Sequence, residues 1–79
     1  MVDKEQLITL QEVSRRTGAT LSALNYYVNL GLLPVADRQG NKRLFRKEEA
    51  LDRFKEIDRL KRDGYPLRII RRQLREGHA

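Results

Sequence analysis

Residues Thr9 to Pro34 read TLQEVSRRTGATLSALNYYVNLGLLP, and this stretch decides the fold. It spells two short helices joined by a tight turn. Thr9 is an N-cap with Glu12 three residues on, the spacing of a capping box. Ile8 and Val13 flank the cap as a hydrophobic staple. Leu10 and Val13 give an apolar edge, while Ser14, Arg15 and Arg16 face water. Gly18 ends the helix, because glycine accepts the left-handed backbone that helix C-termini often need. Thr20 caps the second helix, whose apolar stripe is Leu21, Leu24 and Val28. Gly31 ends that helix, and Leu32-Leu33-Pro34 turns the chain back onto a core.

The other side of the second helix is Ser22, Asn25, Tyr26 and Asn29, and every member can hydrogen-bond. A solvated helix face usually carries Lys and Glu, and this one has neither. Short amides, hydroxyls and a phenol suit close approach to base edges. Two helices around a short turn also have a known way of docking on DNA. The spacing therefore predicts a contact face rather than a merely wet one.

Working outward, the stretch from Arg38 to Lys47 holds Arg38, Lys42, Arg43, Arg46 and Lys47 with no acid among them. Gln39-Gly40-Asn41 signals a turn, since Gly and Asn both tolerate positive φ. Arg43-Leu44-Phe45 alternates polar and apolar like a strand. The expectation is a two-stranded hairpin, a wing over 37–46, whose basic tip gains from counterion release on a phosphate backbone. Leu7 and Ile8 start a short extended segment or pack on the core.

From Lys47 the pattern turns helical, with Ala50, Leu51, Phe54, Ile57 and Leu60 on one face. Glu48 and Glu49 in the first turn and Lys61 and Arg62 in the last suit the helix dipole. Asp63-Gly64 stops it. Pro66 at the first position opens a last helix with Leu67, Ile70 and Leu74 inside, and Arg68, Arg71, Arg72 and Arg75 mainly outside; Gly77 ends it. Residues 1–6 and 76–79 read as loose ends of one domain over 1–79.

The 79 residues fit one small domain with a modest core. Seventeen Lys and Arg against eleven Asp and Glu give +6, which points to a polyanionic partner. With no cysteine, disulfides and thiolate zinc sites are excluded. His78, the one histidine, sits in the tail. No phosphate-binding glycine loop and no nucleophile with a partner base occurs, so neither an enzyme, a cofactor nor a metal is expected. The polar start MVDKEQ and the lack of a long apolar run predict a cytoplasmic protein away from membranes.

The ordered set Thr9-x-x-Glu12-Val13, Thr17-Gly18, Thr20, Leu24-x-Tyr26-Tyr27, Gly31-Leu32-Leu33-Pro34, Arg38, Arg43-Leu44-Phe45, Leu60 and Gly64-Tyr65-Pro66-Leu67 resembles the N-terminal domain of the MerR family of transcription regulators. The resemblance covers about Leu7 to Leu74. It implies a mainly α, winged helix-turn-helix fold with four helices and a small β-hairpin wing. The second helix, 20–30, would enter the major groove of double-stranded DNA and the wing would lie on the backbone. Carried across, Thr20, Ser22 and Tyr26 contact DNA from the helix and Arg43 from the wing, and Lys61 meets a phosphate. Tyr27 is mainly packing, with its hydroxyl reaching out.

Three departures stand out. Asn25 replaces the arginine usual before the two tyrosines, and an asparagine can read adenine in a bidentate way. Phe45 replaces the usual wing tyrosine, which favours a core role. The span from Phe45 to Gly64 is one residue longer than usual, which bears on the register of Lys61.

The family further implies a homodimer, through a long helix beyond these motifs, and RNA polymerase as a partner at a promoter. The contact set expected is Thr20, Ser22, Asn25, Tyr26, Tyr27 and Asn29 on the helix, Arg38, Lys42, Arg43 and Arg46 on the wing, and Lys61 and Arg62 beyond it. On this reading Arg43→Ala weakens all sequences about equally and Asn25→Ala changes the preferred base. Two rivals share the features: an excisionase-like or phage-type architectural DNA-binding module, and a basic adaptor for an acidic protein. RNA is less supported, because the few aromatics form no stacking platform.

Overall fold

A computed structural model describes residues 6–76 of the chain. The expectations for residues 1–5, Gly77 and His78 lie outside the described residues. The elements run β1 (Leu7–Thr9), α1 (Leu10–Thr17), α2 (Leu21–Asn29), β2 (Asp37–Gln39), β3 (Lys42–Arg46), α3 (Lys47–Arg62) and α4 (Leu67–Glu76). Four helices surround a three-stranded antiparallel sheet of order β1-β3-β2. The wing is the two-stranded hairpin expected, β2 with β3, and β1 joins it as a third strand. Leu7-Ile8-Thr9 pairs with Arg46-Phe45-Leu44, and the Lys47 N–H donates to the Gln6 carbonyl at 2.8 Å. Gln6 is therefore tied to the sheet rather than loose, and Glu76 is the last residue of α4 rather than tail.

Thr9 ends β1 and caps α1 at once. Its Oγ1 accepts the Glu12 N–H at 3.2 Å. The other half of the capping box is replaced: Glu12 turns its carboxylate to Arg16 at 2.7 Å and Arg15 at 3.3 Å. The turn to α2 is held from inside. Gly18 N–H donates to the Ser14 carbonyl at 2.9 Å, Ser14 Oγ donates to the Ala19 carbonyl at 2.6 Å, and Ala19 N–H donates to Thr17 Oγ1 at 3.2 Å. Thr20 Oγ1 then accepts the Ala23 N–H at 3.1 Å. These bonds lie within the connection itself and tie the end of α1 to the start of α2.

The far end of α2 is closed as firmly. Leu32 N–H donates to the Tyr27 carbonyl at 2.8 Å and Gly31 N–H to Val28 at 3.0 Å, the bond pair of a Schellman cap. Gly31 sits at φ 83°, where a side chain would cost about 1–2 kcal/mol. Arg53 of α3 donates to the Leu32 carbonyl at 3.2 Å and pins the chain as it leaves. The same cap ends α3, from Tyr65 N–H to Leu60 at 3.1 Å and Gly64 N–H to Lys61 at 3.0 Å.

The core joins all layers: Ile8, Val13, Leu24, Tyr27, Leu32, Leu33, Phe45, Ala50, Ile57, Leu60, Ile70 and Leu74 form one cluster. Phe45 is fully buried, as its missing hydroxyl suggested. Leu51, Phe54 and Leu67 are only partly covered. Among the described residues no polar or charged residue is buried.

Two expectations need correction. Leu21 is 41% exposed and not part of the core stripe. The buried side of α2 is centred on Leu24 and Tyr27, one turn apart, and Leu21 in the first turn overhangs its edge beside the wing. The expected turn forms at Gly40-Asn41, where Gly40 takes φ 61° and Asn41 stays negative, as in a type II′ hairpin turn. Pro66 precedes α4 by one residue. Its carbonyl accepts the Ile70 N–H at 3.0 Å, so it stands at the N-cap and not the first helical position.

Candidate nucleic-acid interface

The amphipathic pattern of α2 buries Leu24 and Tyr27 and leaves Ser22, Tyr26 and Asn29 exposed, with Asn25 half-buried. Tyr26 is 53% exposed, with its ring 6.5 Å from that of Tyr27 and tilted by 43°. The exposed side of α2 therefore carries amides, hydroxyls and a phenol, and neither an acid nor a base. Thr20 stands at its start. Its oxygen already accepts the Ala23 N–H, which leaves the hydroxyl proton for an outside acceptor.

The wing closes one flank. Arg43 Nη2 donates to Asn25 Oδ1 at 2.7 Å, so Arg43 is not a free cation at the tip. A guanidinium has donors only, so the amide must face it through oxygen. This charge-assisted bond locks the rotamer of Asn25 and ties β3 to α2. Arg38 lies directly across the ladder from Arg43, and Gln39 across from Lys42. Like charges facing across strands repel, and an anion laid over them relieves that repulsion. Asp37 Oδ1 accepts the Arg38 backbone N–H at 2.7 Å, and Arg38 is exposed. Arg46 stands at the other end of the wing, 4.0 Å from Glu49.

The opposite flank is Tyr27 with Lys61. Tyr27 buries its ring, and its hydroxyl accepts from Lys61 Nζ at 3.0 Å. The ammonium also lies 5.6 Å from the ring centroid. The hydrogen bond to Tyr27, then the charge interaction with it, hold the Lys61 ammonium above the ordinary lysine pKa, so it stays charged at all neutral pH values. Since Lys61 supplies the donor, the Tyr27 hydroxyl proton is free for another acceptor. The spacing of this pair, from α2 to α3, could not be read from the sequence. Arg62 points instead at Asp58, 2.8 Å away, and is partly neutralised.

Between α2 and the wing runs a cleft of about 240 Å³, lined by Thr9, Leu10, Gln11, Leu21, Asn25, the turn residue Asn41 and the start of β3 at Lys42 and Arg43. Leu21, Gln11 and Asn41 were not anticipated there. The signal that could have found Leu21 is its position four residues before Asn25, on the same helix face. A second cleft, of about 340 Å³, shares no residue with the first. Its lining of Glu49, Asp52, Arg53, Glu56 and Leu74 is mostly acidic and repels a polyanion. Among the described residues no group of three or more His, Cys, Asp and Glu could hold a metal ion, and no helix is long and apolar enough to cross a membrane.

No curated protein and no solved structure gives a significant match to the chain. Residues 8–77 match the family model described as MerR HTH family regulatory protein.

Proposed function

The chain belongs to the MerR HTH family of regulatory proteins, a DNA-binding family of transcription regulators, and from that premise we propose that it reads duplex sequence with α2 in the major groove. Ser22, Asn25, Tyr26 and Asn29 face the base edges. Thr20 donates to a phosphate at the mouth of the groove. Arg38, Lys42, Arg43 and Arg46 of the wing contact the backbone on one side, and Lys61 with the Tyr27 hydroxyl contacts it on the other. Arg62 adds least, because Asp58 already faces it. One copy covers one half-site, so tight binding is expected to require two copies on an inverted repeat. At a promoter, RNA polymerase is the next partner of this arrangement.

The observation that carries this reading is the arrangement of charge. An exposed helix side without a carboxylate, ammonium or guanidinium is flanked by Arg43, fixed to Asn25, and by Lys61, fixed to Tyr27. Base edges need hydrogen-bonding groups without net charge, and phosphates need cations. The test is selection from random duplexes followed by salt titration. About five neutralised phosphates give a slope of log K against log salt of roughly −4 to −5. A selected consensus with that slope supports the reading. Equal affinity for all duplexes, or amide resonances of Ser22–Asn29 that DNA leaves unmoved, overturns it. No duplex affinity even at low salt would favour an adaptor for an acidic protein instead.

A further inference from the structure

The cleft beside the wing has a chemistry of its own. Its floor on α2 pairs an exposed leucine, Leu21, with the amide of Asn25 one turn on. Asn25 Oδ1 is taken by Arg43 at 2.7 Å, and the orientation is forced because a guanidinium cannot accept. Its NH2 group has no partner among the described residues. Bidentate reading of adenine needs the amide oxygen for N6 and the amide nitrogen for N7 together. Here Arg43 holds one lone pair of the oxygen and fixes the plane of the amide, which leaves the nitrogen as the end of the side chain without a partner. The base edge that suits a lone donor beside an apolar surface is thymine, which presents the O4 acceptor next to the C5 methyl.

We propose that this cleft reads a thymine: Asn25 Nδ2 donates to O4, and Leu21 covers the 5-methyl group. The inference rests on α2 lying in the major groove and specifies what it selects there. It replaces the adenine contact expected from the asparagine alone. Arg43 becomes a positioning residue for base choice, since it dictates which end of the amide is presented. Lys42 lines the same cleft.

The test takes the tightest duplex from random selection and replaces each thymine in turn by deoxyuridine, which removes only the methyl. Wild type is expected to lose about fourfold at one thymine per half-site, the worth of one buried methyl group. Leu21→Ala is expected to bind the thymine and deoxyuridine duplexes equally; the residue is exposed, so folding is not at stake. Asn25→Asp keeps an oxygen for Arg43 but removes the donor, and is expected to move the preference at that position from T to C, whose N4 donates. A consensus without thymine, deoxyuridine tolerated everywhere, or an unchanged methyl effect in Leu21→Ala overturns the thymine contact while leaving groove reading in place. Sequence-blind binding overturns both.

Discussion

The wing and the outer side of α3 are both rich in arginine and lysine, yet their charges do different things. On α3, Arg59 lies 2.6 Å from Glu56 and Arg62 2.8 Å from Asp58, ion pairs within one helical turn. On the wing, Arg38 and Arg43 face each other across the ladder, and Arg43 leans on a neutral amide. The first arrangement spends its field locally, as Arg46 does with Glu49 at 4.0 Å, whereas Arg38 and Arg43 face each other and no acid across the ladder. Net charge therefore says less about a binding surface than the i,i+3 and i,i+4 spacing of acids and bases.

The contrast can be broken at its base. Phe45, fully buried, anchors the wing to the core. Phe45→Ala is expected to cost about 3–5 kcal/mol in urea unfolding. A loss near zero would mean the wing is a surface loop with no share in the core.

Arg43→Ala should remove a charge-assisted bond worth about 1.5–3 kcal/mol in duplex affinity, and reduce the salt slope by about 1. It also releases Asn25, so base preference should change with affinity. A uniform loss across all sequences would show that the Arg43–Asn25 bond does not govern recognition.

Tyr27→Phe sharpens the comparison on the other flank. It deletes the acceptor that raises the Lys61 pKa. An NMR titration should find the lysine lower in the variant, and binding weaker by about 1 kcal/mol. The raised value favours the folded state below the ordinary lysine pKa of 10.5, and this contribution is lost only as pH rises through the higher folded value. Lys61 is thus expected to contribute no pH dependence between pH 6 and 9, and a change of Nζ shift in that window would contradict the assignment. Arg62→Ala should do least. An exposed ion pair is worth at most about 1 kcal/mol, so stability and salt slope should both stay near wild type.

Much of this was legible in the residues. Thr9, Thr20, Gly18, Gly31 and Gly64 mark helix ends through backbone rules that act within a few positions, and the structure places the boundaries there. The wing strands also follow from local alternation and a turn. Partnerships across the chain were not legible. Nothing in the spacing says that Leu7–Thr9 completes the sheet, that Arg43 seizes Asn25, or that Lys61 meets Tyr27. Sequence alone gave Arg43 to phosphate and Asn25 to a base as separate tasks. Leu21 was misplaced for a related reason: helical period gives a stripe, but the edge of the core decides how much of it is covered.

The strand order β1-β3-β2 has a kinetic consequence. Helices α1 and α2 and the β2–β3 hairpin can assemble from neighbours in the chain, whereas joining Ile8 to Phe45 closes a long loop at an entropic cost. The amino-terminal strand is expected to dock last, after the folding barrier is crossed. Stopped-flow mixing of an Ile8→Val variant should then show faster unfolding with an almost unchanged refolding rate; slower refolding would place that docking in the nucleus.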